Sequence, residues 1–189
     1  MFVVDDGIIH SKGIIMLKFK KLTSNAFKFY MQQSINKYAE YIYESKEVDS
    51  MERALEVATE EVLPWAKEAL ISKDHYLYRV KNAKDDTIGW IWYEIVDEGK
   101  KVFLVYIFID PKYRGRGLAG EVLQFFEQET QQRGVEEIVL YVFKINTSAI
   151  KLYKKNGYAI VDEVSSFDAV EPTRYKMTKD LTLKENDNG

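Results

Sequence analysis

Arginine and glycine alternate at Arg114-Gly115-Arg116-Gly117, and Leu118-Ala119-Gly120 follows. The chemistry this spacing suits is phosphate binding. Gly115 and Gly117 permit the positive φ values that turn consecutive backbone N–H groups onto one concave surface. From Leu118 the apolar residues Leu118, Val122, Leu123, Phe125 and Phe126 recur at helical spacing, so the turn opens a helix. The first N–H groups of that helix lack partners and carry the positive end of its dipole, and the two arginines add full charges.

Two familiar phosphate ligands fit poorly. Gly115-x-Gly117-x-x-Gly120 matches the dinucleotide fingerprint, but that reading expects an acidic residue roughly 20 positions on, at the end of the next strand. Here that strand ends at Phe143 and Lys144, and its acids, Glu136 and Glu137, stand at its start. A nucleotide-dependent oxidoreductase is therefore disfavoured. No G-x-x-x-x-G-K-[ST] loop exists either.

The elements that must position the turn are legible on both sides of it. Val102 to Ile109 is an unbroken apolar run, which predicts a central strand covered on both faces and ended by Asp110 and Pro111. Tyr76 to Val80 and Thr87 to Val96 read as strands of an antiparallel meander leading into it. Val135 to Phe143 is the next strand, and the intervening helix makes it parallel to the central one with a right-handed crossover. Earlier, Leu17 to Leu22 alternates as a half-buried first strand. A helix then presents Phe27, Tyr30, Met31, Ile35, Tyr38, Tyr41 and Ile42 on one face. A second helix starts at Asp49, with Glu52 three residues on, and carries Met51, Leu55, Ala58, Val62 and Leu63; Pro64 is expected to kink or divide it. Tyr158 to Ser166 and Arg174 to Leu181 form a closing pair of strands.

A second motif lies at Asn146-Thr-Ser-Ala-Ile-Lys-Leu-Tyr153-Lys-Lys-Asn-Gly157-Tyr158. Asn146 or Thr147 caps a helix that Gly157 ends, which accounts for the pattern structurally by itself. Together, Arg114-x-x-Gly117-x-Ala119 after Ile-Asp-Pro and N-x-x-(A)-x-x-L-Y-x-K-x-G-[FY] resemble the two signatures of the Gcn5-related N-acetyltransferase (GNAT) superfamily, in particular small bacterial acetyltransferases. The resemblance spans about Leu17 to Leu181. It implies an α/β (mixed α+β) GNAT fold: a central mixed sheet of about six or seven strands with a splayed parallel pair, flanked by about four helices. It further implies acetyl-CoA as cosubstrate and direct acetyl transfer to a primary amine, carried by a small molecule or a peptide.

On this resemblance Ile107, Phe108 and Ile109 hold the pantetheine arm, and an N–H near Ile109 stabilises the oxyanion. The pyrophosphate lies on Arg114, Gly115, Arg116, Gly117, Leu118, Ala119 and Gly120. Asn146 contacts the arm or ordered water, and Tyr153 is the general acid, although it also suits a plain core position. Some relatives carry a glutamate base five residues before the asparagine; here Tyr141 stands there, and Glu94 or a water chain is the substitute. A non-catalytic acyl-CoA binding or sensing module on the same fold is the alternative.

Composition sets outer bounds. The 189 residues suit one domain, expected over 16–181, with an N-terminal extension or leader at 1–15 and a polar tail at 182–189. A net charge of −3 argues against a nucleic-acid or membrane partner, and the absence of cysteine removes thiol chemistry. With only His10 and His75, no metal site is expected. A cytoplasmic protein is expected, and a homodimer is allowed. The helical pair carries Glu40, Glu44, Glu47, Asp49, Glu52, Glu56, Glu60 and Glu61 among tyrosines, an acidic and aromatic wall that suits a cationic acceptor.

Overall fold

The computed structural model describes residues 8–10, 16–22, 24–165 and 171–182. In chain order the elements are β1 (Ile8–His10), β2 (Met16–Lys21), α1 (Ser24–Glu44), α2 (Met51–Ala69), β3 (His75–Lys81), β4 (Thr87–Val96), β5 (Lys101–Ile109), α3 (Leu118–Gln132), β6 (Glu137–Phe143), α4 (Thr147–Lys155), β7 (Ala159–Val164) and β8 (Arg174–Asp180). The described residues divide into two compact units, one of 8–10, 16–21, 76–140 and 178–182, the other of 22, 24–75, 141–165 and 171–177.

In the first unit the strands lie in the order β1-β2-β3-β4-β5-β6. The β4–β5 pair is antiparallel and the β5–β6 pair parallel, as the intervening helix requires. β1 adds a strand where only an extension was expected, with Ile8 opposite Lys18 and His10 opposite Met16. The α3-facing side of the meander buries Phe19 and Phe125, whose ring centroids stand 3.6 Å apart. At the far end of α3 the buried Glu129 accepts from the Tyr93 hydroxyl and, at 2.6 Å, from Arg133 Nε; the Arg133 guanidinium lies 4.3 Å over the Tyr76 ring. Burial and the Glu129 charge push the Tyr93 hydroxyl well above the ordinary tyrosine range, so it stays a donor. This network fixes the helix that begins at the glycine turn.

The second unit holds α1, α2 and α4, and its strands lie in the order β6-β8-β7. α1 buries Phe27, Met31, Ile35 and Ile42, as its period predicts. α2 departs from expectation at its cap and along its buried face. Its cap is Ser50, whose side chain accepts from the Arg53 N–H at 3.2 Å, rather than Asp49. Of the two outcomes expected at Pro64, division does not occur: one helix spans both sides of it, since a proline deletes one ladder bond while the helix on either side keeps its own. α2 buries the small residues Ala54, Ala58 and Ala66, leaving Met51, Leu55 and Leu63 more than a third exposed. Residues 166–170 of the expected closing hairpin and all of the tail but Thr182 lie outside the described residues. Among the described residues no helix is long and apolar enough to cross a membrane.

Candidate active site

β5 is not covered on both faces along its whole length, as its apolar run led one to expect. Val102, Leu104 and Ile109 are buried, but Val105 to Phe108 are only half-buried. The change coincides with an irregularity: Trp92 pairs with Tyr106 while Tyr93 pairs with Leu104, so Val105 is an extra residue on β5. Such a bulge bends its strand and raises the local twist. The pairs with β6, Lys101↔Glu137, Val102↔Ile138 and Phe103↔Val139, stop just before it. The splay expected of the parallel pair thus has a local cause in β5.

Beyond the bulge, the Asp110 N–H donates to the Ile88 carbonyl at 2.9 Å, so Asp110, and by alternation Phe108, point their backbone groups at β4. Ile107 and Ile109 therefore turn theirs the other way, past the end of the β6 ladder. The Ile109 carbonyl is taken by Arg114 Nε at 2.8 Å, and the guanidinium lies 5.6 Å over the Phe108 ring. Arg114 thereby pins the end of the strand, a role its place in a motif did not reveal.

The turn itself starts where the Asp110 side chain accepts from the Lys112 N–H at 3.0 Å and caps a short 3-10 turn at Pro111–Tyr113. Gly115 and Gly117 have φ of 76° and 78°, and a Cβ on either would meet nothing within 4 Å. Gly117 is the N-cap of α3, with no side-chain cap bond. Among the described residues the N–H groups of Gly115, Arg116, Gly117, Leu118 and Ala119 meet no acceptor, whereas that of Gly120 donates to the Gly117 carbonyl at 2.9 Å. Five free donors on an open surface at a helix N-terminus fit a phosphate group. Arg116 folds beside them, its Nη2 donating to the Lys112 carbonyl at 3.2 Å and its guanidinium 5.7 Å over the Tyr113 ring.

The remaining predicted residues fare unequally. Glu94 pairs with Phe103, on the other side of the bulge from Ile109, which pairs with Gly89. Five residues of β4 separate the two places, about 17 Å at strand rise. That distance removes Glu94 as a base acting directly beside Ile109. In the second unit Asn146 caps α4, its Oδ1 accepting from the Ala149 N–H at 3.2 Å. Tyr153 is buried, its ring centroid 5.5 Å from that of Tyr158, and Tyr141 is largely exposed.

The acidic wall is partly neutralised. Arg174 Nη2 donates to the buried Glu47 carboxylate at 3.1 Å and Nη1 to Glu61 at 3.5 Å; Thr173 also donates to Glu47, and the Tyr38 hydroxyl to Glu61. Burial first, and then the neighbouring carboxylates against the opposing pull of Arg174, pushes Tyr38 well above the ordinary tyrosine range. Glu44, Asp49, Glu52 and Glu60 remain exposed. A cleft of about 590 Å³ at the turn after α1 is lined by Tyr43, Glu44, Lys46, Glu47, Val48 and Asp49.

The model of the acetyltransferase (GNAT) family matches residues 36–158. YdgE of Bacillus subtilis, named as an uncharacterized N-acetyltransferase, is 27% identical over 146 residues, which are 75% of this chain and 90% of that protein. The crystal structure of the acetyltransferase YycN from the same organism is similar with a TM-score of 0.74 and 24% identity, covering 82% of this chain and 99% of that one. That of spermidine N-acetyltransferase from Vibrio cholerae, solved with CoA and spermine, has a TM-score of 0.63 and 16% identity, covering 88% and 96%. At these identities the two structures speak to the fold alone.

Proposed function

The chain belongs to the GNAT family of acetyltransferases, and from that premise we propose that it transfers the acetyl group of acetyl-CoA directly to a primary amine, preferring a cationic one. The observation that carries the reading is the turn at Gly115 to Ala119, whose five backbone donors at the start of α3 meet no acceptor among the described residues. Those donors take the pyrophosphate, with Arg116 beside them. Ile107 offers its backbone groups to the pantetheine arm, while Ile109, whose carbonyl Arg114 holds, keeps its N–H for the thioester, and the half-buried apolar stretch from Val105 to Phe108 gives the arm a dry wall. In the reaction the amine nitrogen attacks the thioester carbonyl carbon, a C–N bond forms and the C–S bond breaks. The amine gives up one proton and the departing sulfur receives one. The Ile109 N–H donates to the carbonyl oxygen as charge develops on it.

Tyr153 is assigned as proton donor to the sulfur, a role carried by its place in the second motif. Asn146, whose oxygen caps α4, offers its amide N–H to the arm. With Glu94 set aside, the amine loses its proton through water. Tyr153→Phe should slow acetyl transfer about ten-fold or more with acetyl-CoA binding nearly intact, because only the proton is removed. An unchanged rate would return Tyr153 to the core.

The preference for a cationic amine is supported by the exposed acids of α1 and α2 and by the cleft that sets the Tyr43 ring among carboxylates. Coenzyme A release with amines of positive, neutral and negative net charge, at low and high salt, tests it. Cationic acceptors should lead, and their advantage should shrink with salt. A preference for anionic acceptors, or a ranking that salt leaves untouched, would refute it.

A further inference from the structure

We propose, resting on the assignment of Ile109 as oxyanion donor, that Gly89 is a positioning residue for the transfer step, its missing side chain setting the direction of the Ile109 N–H. Gly89 stands opposite Ile109 in the β4–β5 pair. It is buried in a strand that continues as Trp90, Ile91, Trp92 and Tyr93, all large and all buried. A glycine weakens such a strand, and inside one it marks a close approach of backbone. The approach is to one atom: a Cβ on Gly89 would lie 2.1 Å from the Phe108 carbonyl oxygen, with the Phe108 carbonyl carbon and Ile109 Cδ1 both at 3.1 Å.

The Phe108 carbonyl and the Ile109 N–H belong to the same planar peptide unit. The oxygen faces β4, and the N–H therefore faces away from it, toward the side where the ladder with β6 has ended. Real Cβ atoms keep at least 3.0 Å from such neighbours, so a methyl at position 89 must drive the oxygen from 2.1 Å to at least 3.0 Å, a retreat of 0.9 Å. With a C=O bond of about 1.23 Å as the lever, the rotation of the peptide about its Cα–Cα axis that achieves this is about 40°. The Ile109 N–H swings by the same angle, enough to weaken a hydrogen bond that prefers to be nearly straight. The adjoining peptide resists following, because the Asp110 N–H is held by the Ile88 carbonyl and the Ile109 carbonyl by Arg114. The strain falls on the one peptide that carries the donor. The pyrophosphate donors from Gly115 to Ala119 lie beyond that clamp, so the wedge reads out in the chemistry and not in coenzyme binding.

The experiment compares wild type with Gly89→Ala in three measurements: kcat of acetyl transfer, affinity for acetyl-CoA and affinity for CoA, which has no carbonyl to hold. A drop in kcat of about ten-fold or more is expected. Loss of any preference for acetyl-CoA over CoA, with CoA affinity within two-fold of wild type, is expected alongside it. A folded Gly89→Ala protein that keeps its kcat overturns the proposal. So does one that loses both affinities and kcat in equal proportion, since that is a merely structural loss. Should Gly89→Ala fail to fold, the wild-type protein carries the test by NMR: acetyl-CoA must shift the Ile109 amide resonance further than CoA does, and equal shifts overturn it. If wild type neither binds acetyl-CoA nor transfers from it, the functional reading falls instead, and the two failures are told apart.

Discussion

Gly117→Asp abolishes the rise in melting temperature that acetyl-CoA gives the wild-type protein. A ligand at 100 times its Kd stabilises by about 2.7 kcal/mol, and for a chain of this size each kcal/mol moves the midpoint by about 2 to 4 °C. The wild-type shift is therefore about 5 to 10 °C. At position 117 the substitution strains the backbone but meets no neighbouring atom. The φ of 78° disfavours most side chains, but aspartate tolerates the left-handed region better than others, and a Cβ there meets nothing within 4 Å. Gly117 is also the N-cap of α3 and lacks a side-chain cap, a position where a carboxylate can take a helix N–H for itself. The variant thus folds at a backbone cost of about 1 to 3 kcal/mol, while its charge competes with phosphate for the free donors and repels it. Gly117→Asn, with the same shape and backbone preference but no charge, should keep part of the shift. A full shift in Gly117→Asp would mean that the phosphates lie elsewhere.

What the sequence disclosed and what it withheld divide along physical lines. The turn at Gly115 to Gly120 was legible because positive φ, helix start and charge are local properties, and α1 was legible because the large residues it buries, Phe27, Met31, Ile35 and Ile42, recur at helical spacing. α2 was less legible at Pro64 and along its face. Periodicity marks where large apolar residues fall, whereas close approach selects small ones, and Ala54, Ala58 and Ala66 are the residues α2 buries. The bulge at Val105 left no mark in an unbroken apolar run, since pairing register depends on a partner strand. Strand membership alone suggests Glu94, but the register sets it about five residues of β4 away from the place of interest. Gly89 did carry a signal, a glycine inside an aromatic strand, but what it approaches needs the partner backbone. From sequence Glu47 and Glu61 read as part of the acidic wall, with no cation assigned to them. Their partner Arg174 lies more than 110 residues further on, and no local pattern links them.

Ile109→Pro deletes the donor on which the chemistry turns, and it should lower kcat by about 10²- to 10³-fold, the scale of losing one oxyanion donor in other acyl transfers. The position suits the test because its N–H belongs to neither ladder. It faces away from β4, where the neighbouring Asp110 N–H makes the bond to Ile88, and the pairs with β6 end six residues earlier at Phe103. Proline fixes φ near −65° and asks the residue before it to be extended, which Phe108 already is. The cost to the fold is the narrowed φ and the poorer apolar packing where a buried isoleucine stood, together about 1 to 3 kcal/mol. Ile109→Val, which keeps the N–H and removes a methyl group, controls for the packing share of that cost. If Ile109→Pro is folded, binds CoA as wild type does and turns over far more slowly, while Ile109→Val turns over normally, the N–H is the active group. A folded Ile109→Pro protein with an unchanged kcat assigns the oxyanion to another donor, and the wedge between Gly89 and Phe108 loses its catalytic meaning with it.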